Sequence, residues 1–144
     1  MVIFTYNLKT NKMETGKYYV GDLCYVLQER WDEVCDLIIK DRVCLEGEFE
    51  LSDGIKFAMY NTAYGDGRYY DQEGSGYSVD SGSIGCVLWN RIDPKYEVSA
   101  MRLGILVDMD EPFDTSAEDG MIMIGDIVID TIGENPDEEE DEDY

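Results

Sequence analysis

Trp31, Val34, Cys35 and Ile38 recur at i, i+3, i+4 and i+7, while Asp32, Glu33 and Asp36 fall on the opposite side. That spacing predicts an amphipathic helix from about Gln28 to Lys40, with an apolar stripe suited to covering a sheet. On either side the period is two. Val2 to Leu8 and Lys17 to Val20 read as strands joined by a polar turn around Thr10-Asn11-Lys12. Phe49 and Leu51 alternate with Glu48 and Glu50, Ser52-Asp53-Gly54 supplies a turn, and Ile55, Phe57 and Met59 alternate with Lys56 and Ala58, which predicts a hairpin. Gly65-Asp66-Gly67 reads as the next reversal, followed by strands at Arg68 to Asp71, Tyr77 to Asp80 and Ile84 to Asn90, so the middle of the chain reads as a β-meander. Leu103 to Met109 and Met121 to Ile132 are the last apolar segments, with Gly125-Asp126 as a bulge or tight bend. These elements predict an α+β fold of predominantly antiparallel sheet, bent or partly closed as a barrel, with one amphipathic helix.

Composition separates two regions. With 44% hydrophobic and 12% aromatic residues over 144 positions, residues 1–132 have the makings of a single folded domain. Residues 133–144 are an acidic tail holding seven consecutive carboxylates: Asp137, Glu138, Glu139, Glu140, Asp141, Glu142 and Asp143. Nothing there can bury apolar area to offset ordering entropy, so the free tail is expected to be disordered. The formal charge is −22, from 33 acidic against 11 basic residues, and only eight of the acids lie between Glu134 and Asp143. The acidity therefore belongs to the body as well. There is no histidine, which removes the commonest metal ligand and the side chain most used for proton transfer near neutrality.

Cys24, Cys35, Cys44 and Cys86 have apolar neighbours and no CxxC spacing, and read as reduced core residues without zinc. The start of the chain lacks the basic flank and apolar stretch of a signal peptide, and no apolar run approaches bilayer length. The expectation is a cytoplasmic protein without membrane partners.

Two strings stand out: Gly21-Asp22-Leu23-Cys24-Tyr25-Val26, preceded by Gly16 to Val20, and Tyr77-Ser78-Val79-Asp80-Ser81-Gly82-Ser83-Ile84-Gly85. With Trp31 to Cys35 they resemble a group of small proteins of bacteria and their phages, over about Gly16 to Thr131. The resemblance implies a bacterial or phage cytoplasmic setting and no activity, cofactor or site residue.

Candidate contacts follow from charge and from tyrosine. In an extended chain carboxylates succeed one another at about 3.4 Å, close to the phosphate repeat along one DNA strand, so the tail suits a cationic groove built for nucleic acid. Tyr64, Tyr69, Tyr70 and Tyr77 lie among Asp66, Asp71, Glu73 and Asp80, a combination suited to an arginine-rich partner. The same four acids among Gly65, Gly67, Gly74, Gly76, Gly82 and Gly85 offer oxygen ligands for Ca²⁺, although the spacing fits no EF-hand loop. No GxSxG, helix-opening GxGxxG or GxxxxGK[ST] occurs, so no catalytic residue and no cofactor is expected. The expected function is non-enzymatic: an acidic nucleic-acid mimic that inhibits a basic nucleic-acid-handling protein without touching nucleic acid itself. A structural or accessory domain whose acidity serves solubility, and a calcium-binding module, are the alternatives.

Overall fold

The computed structural model describes residues 12–132. The strand expected at Val2 to Leu8 and the acidic run Asp137 to Asp143 lie outside the described residues.

Twelve strands and two helices are described: β1 (Gly16–Gly21), α1 (Trp31–Ile38), β2 (Ile39–Lys40), β3 (Val43–Cys44), β4 (Gly47–Glu50), β5 (Lys56–Asn61), β6 (Gly67–Asp71), β7 (Gly76–Val79), β8 (Ser83–Leu88), α2 (Glu97–Leu103), β9 (Ile105–Met109), β10 (Thr115–Glu118), β11 (Met121–Ile124) and β12 (Ile127–Asp130). They build two five-stranded antiparallel sheets, ordered β4-β5-β8-β1-β9 and β10-β11-β12-β6-β7, with β2-β3 as a separate hairpin. The fold is α+β and dominated by antiparallel sheet, as its patterning predicts. Neither sheet closes into a barrel.

Strand alternation explains the layering. Tyr18 and Val20 of β1, Ala58 and Tyr60 of β5, and Ile84 and Cys86 of β8 face the second sheet, where they meet Tyr69, Tyr77, Val79, Ile122, Ile124 and Ile129. Tyr19, Phe57, Met59 and Val87, one residue out of phase, face the other way onto Val34 and Ile38 of α1, Ala100 of α2, and Leu23, Leu27 and Ile92 of the connecting turns. The first sheet is therefore buried on both faces. The period-two pattern of β1, β5 and β8 places apolar side chains on each of them.

Three expectations are corrected. The middle of the chain is not a continuous meander: after β5 it crosses to the second sheet, makes the β6-β7 hairpin there and returns as β8. The apolar face of that hairpin, Tyr69, Tyr77 and Val79, finds its burial against the first sheet instead of beside β5. The expected single helix is two. α1 is shorter than 28–40, because Gln28–Arg30 is a 3₁₀ turn and Ile39 leaves helical geometry for the extended region. The second helix, α2, follows a 3₁₀ turn at Pro94–Tyr96 whose first residues are capped by the Asp93 side chain, accepting from the Lys95 N–H at 2.9 Å. With Ala100 its one fully buried residue, it has no apolar stripe for a periodicity to reveal. Finally, all four cysteines are free, but only Cys86 is buried; Cys24 and Cys35 are half-buried and Cys44 is exposed on β3. The Gly125-Asp126 alternative resolves as a two-residue hairpin turn, with Gly125 at φ +60° and Ile124 opposite Ile127.

The β2-β3 hairpin turns through Asp41 and Arg42, at φ +53° and +68°. Two left-handed residues in succession are a demand that glycine meets without steric cost. Arg42→Gly is expected to raise stability by about 0.5 to 1 kcal/mol, the relief of a left-handed arginine less the extra freedom of glycine in the unfolded chain. Urea denaturation checks this; a fall in stability would show that the Arg42 side chain supports the fold.

Candidate functional site

The two strings singled out in the sequence meet at one carboxylate. Asp22 follows directly on β1 and is fully buried. Its Oδ1 accepts the Cys24 N–H at 3.0 Å, capping the turn Leu23–Tyr25, and the Ser81 hydroxyl at 2.8 Å. Its Oδ2 accepts the backbone N–H groups of Asp80 at 2.6 Å and Ser81 at 2.7 Å. Four donors thus surround a buried charge, and among the described residues no cation lies within ion-pair distance of it. The carboxylate is held by aligned dipoles, as buried charges require when no counter-ion is present.

Chemically this cluster is quiet. Burial, and then the neighbouring Asp22 carboxylate, push the Cys24 thiol far above its ordinary range, which keeps it protonated and poorly nucleophilic. The same influences, burial first and then Asp80 and Asp22, raise Tyr25 to about 12. What the cluster does is mechanical: it fixes the β7-β8 loop, and through it one end of the sandwich.

The Gly82 carbonyl of that loop accepts the Thr62 N–H at 3.0 Å, and the Thr62 hydroxyl both donates to the Gly65 carbonyl at 2.7 Å and accepts the Gly65 N–H at 2.9 Å. The Asn61–Ala63 segment is the spine of this end. Asn61 donates its side-chain amide to the Cys44 carbonyl, and Ala63 donates its N–H to the Thr131 hydroxyl at 2.9 Å, which in turn donates to the Gly120 carbonyl. The immediate chain neighbours of these anchored residues are Leu45, Tyr64 and Ile132, all exposed, with Tyr64 at 67%. The exposed carboxylates Glu46, Asp66, Asp80 and Asp119 flank the same anchors.

The residues named from sequence between Tyr64 and Asp80 do not stay together. Tyr64, Asp66 and Asp80 share this end. Tyr69 and Tyr77 are inside the sandwich, 5% and 0% exposed, and unavailable to a partner. The Tyr69 hydroxyl donates to the Gly65 carbonyl and that of Tyr77 to the Asp71 carboxylate at 2.6 Å. Asp71 is thereby a turn residue: its other oxygen accepts the Glu73 and Ser75 N–H groups. Asp71 and Glu73 lie at the far end of β6 from Asp66, so the four acids suggested as calcium ligands do not converge. Tyr70 is half-buried, with the Arg68 guanidinium 5.7 Å from its ring centre. Among the described residues no three His, Cys, Asp or Glu side chains group so as to hold a metal ion, and no helix is long and apolar enough to cross a membrane.

Sequence reading missed Leu45, Glu46, Asp119, Ile132 and Asp22. Only Asp22 left a signal, as a lone charge inside the apolar string from Tyr18 to Val26.

Ion pairs gather elsewhere. Arg30 bridges Glu33 at 2.8 Å and Asp53 at 3.0 Å, Arg91 donates to the Asp53 carbonyl, and Lys95 pairs with Glu29, all on the side of α1 and the 3₁₀ turns, while Lys12 pairs with Asp114 at 3.0 Å next to Phe113. Arg30 holds both the Asp53 and Glu33 carboxyls below their ordinary range. By contrast, among the described residues no ion pair involves Glu46, Asp66, Asp80 or Asp119, nor Asp108, Asp110, Glu111 and Asp126, which line a 390 Å³ groove over Met109 and Phe113 near the β11-β12 turn. No protein-family model, curated protein or solved structure matches the chain.

Proposed function

We propose that the chain is a non-enzymatic acidic binding protein that occupies the cationic site of a nucleic-acid-handling protein, in the manner of a nucleic-acid mimic in a bacterial or phage setting. The observation that carries this reading is the formal charge of −22 together with the placing of four of the five ion pairs among the described residues beside α1. Apart from Lys12, which pairs with Asp114, the paired cations cluster beside α1, and among the described residues the exposed carboxylates near Tyr64 and those lining the Asp108–Glu111 groove have no ion-pair partner. A partner built to neutralise phosphates releases counter-ions when it meets such a surface, as it would on DNA. The run Asp137 to Asp143 supplies the same chemistry at phosphate-like spacing when extended.

The test is affinity capture from bacterial lysate with the full chain and with a form ending at Gly133, eluted by a salt gradient. A stoichiometric basic protein is expected, released at lower salt from the shortened form, and its binding to nucleic acid should be competed by the full chain. Capture of that protein without competition would remove the mimic. A melting temperature raised by millimolar Ca²⁺ would favour the calcium-binding alternative instead.

A further inference from the structure

We infer that the end of the sandwich bearing Tyr64 is an interface with an apolar centre, and that the partner seated on it is a folded basic protein whose cationic surface surrounds an apolar recess. This rests on the reading of the chain as a binder of basic proteins, and it adds where the grip is and what the partner must offer besides charge.

Among the described residues, seven large apolar side chains are exposed, and five of them, Ile39, Val43, Leu45, Tyr64 and Ile132, belong to this end or to the hairpin joined to it. Scattered exposed apolar residues are ordinary, but a collection at one place is not. Ile39 and Val43 stand on the β2-β3 hairpin, and three further elements deliver the rest: the β3-β4 connection carries Leu45, the β5-β6 loop Tyr64 and the segment after β12 Ile132. Tyr64 directly follows the Asn61–Ala63 spine, and the other two are tied to it by hydrogen bonds to the residues next to Leu45 and Ile132: Asn61 donates to the Cys44 carbonyl and Ala63 to the Thr131 hydroxyl. The side chains are therefore presented on fixed backbone, which lowers the ordering cost of binding. Exposed carboxylates lie in the same connections: Glu46 next to Leu45, where it accepts the Asn61 N–H at 2.8 Å, Asp66 in the loop of Tyr64, Asp80 in the β7-β8 loop, and Asp119 next to Gly120, whose carbonyl accepts from Thr131.

An apolar and aromatic centre within a charged rim is the anatomy of a protein interface, in which a few desolvated anchors supply most of the affinity and the rim supplies steering. A flexible polycation satisfies the rim but gives the anchors nowhere to go. A folded partner with an apolar recess inside its basic surface satisfies both, and charge complementarity fixes the sign of its rim.

The experiment compares the wild-type chain, Leu45→Ser/Tyr64→Ala and Asp66→Asn/Asp80→Asn as baits for the basic protein recovered from lysate and for poly-L-lysine. All four positions are exposed, and thermal melts confirm that each variant is folded. With the recovered protein, the apolar variant is expected to dissociate at least tenfold faster with an unchanged salt dependence, while the charge variant associates more slowly and loses part of that dependence. Poly-L-lysine is expected to distinguish only the charge variant. Equal dissociation of the recovered protein from wild type and the apolar variant would overturn the apolar interface while leaving the charge reading intact. If the wild-type chain retains no basic protein at all, both fail together. A second pair, Val43→Ser and Ile132→Ser, repeats the comparison should the first variant melt early, and indifference there overturns the inference equally.

Discussion

Replacing Asp22 with alanine is expected to remove about 3 kcal/mol or more of folding stability, measured by urea denaturation. The size follows from what is left behind. The N–H groups of Cys24, Asp80 and Ser81 and the Ser81 hydroxyl all donate to this one buried carboxylate. A buried donor without an acceptor costs roughly 1 to 3 kcal/mol, and hydrogen bonds to a charged group are the stronger kind. Water entering the vacated space would recover part of the loss, which is why the expectation is not the full sum. Asp22→Asn should recover little, because an amide keeps one acceptor oxygen and turns an NH₂ toward groups that are themselves donors. Ser81→Ala removes a single donor and should cost about 1 kcal/mol. A loss below that value for Asp22→Ala would mean that the β1 and β7-β8 segments are held together by packing alone.

Gly85→Ala is expected to be at least as damaging, about 4 kcal/mol or more, and to reduce the yield of folded protein. Gly85 sits in the middle of β8, opposite Gly21 on one side and Met59 on the other. A Cβ there would stand 1.8 Å from the Ala58 carbonyl oxygen and 2.9 Å from its carbon. Both atoms belong to the backbone of the neighbouring strand, so relief requires the β5-β8 ladder to separate, and losses of that size are confined to such failures. Gly65→Ala is the informative contrast. At φ +83° it is conformationally strained, but no atom lies within 4 Å of the added carbon, so a cost of about 1 kcal/mol is expected. Equal losses at the two positions would show that backbone conformation, not steric exclusion, governs both.

The parts of the fold that sequence made legible are those whose stabilisation is local and periodic. α1 announced itself because one face is buried and the other wet, and the β4-β5 hairpin because turn chemistry lies between alternating segments. The assignment of strands to two sheets was not legible, because a strand buried against a partner sheet and one in a meander have the same period. Nor was α2, which is held by one buried alanine and by what surrounds it. For the site, charge was visible at once and placement was not. Tyr64 and Tyr69 are five residues apart, yet one is on the surface and the other in the core, since Tyr69 has the register of an inward position on β6. Leu45 and Ile132 look like ordinary strand ends in the sequence. Their exposure follows from the connections of the Asn61–Ala63 segment, which join positions far apart in the chain.

The position of β1 as an inner strand of its sheet, between β8 and β9, has a consequence for synthesis. Its strand partners among the described residues are β8 and β9, and Gly21 pairs with Gly85. At 5 to 20 residues per second a ribosome needs roughly 3 to 13 s to travel that distance, a long interval on the scale of chain collapse. Throughout it the aromatic strand Tyr18-Tyr19-Val20 is made but unpaired, while the β4-β5 and β6-β7 hairpins can already form from adjacent sequence. A nascent chain in this state exposes an apolar strand of the kind chaperones shield, and a net charge of −22 works against association between such chains before the sheet can close.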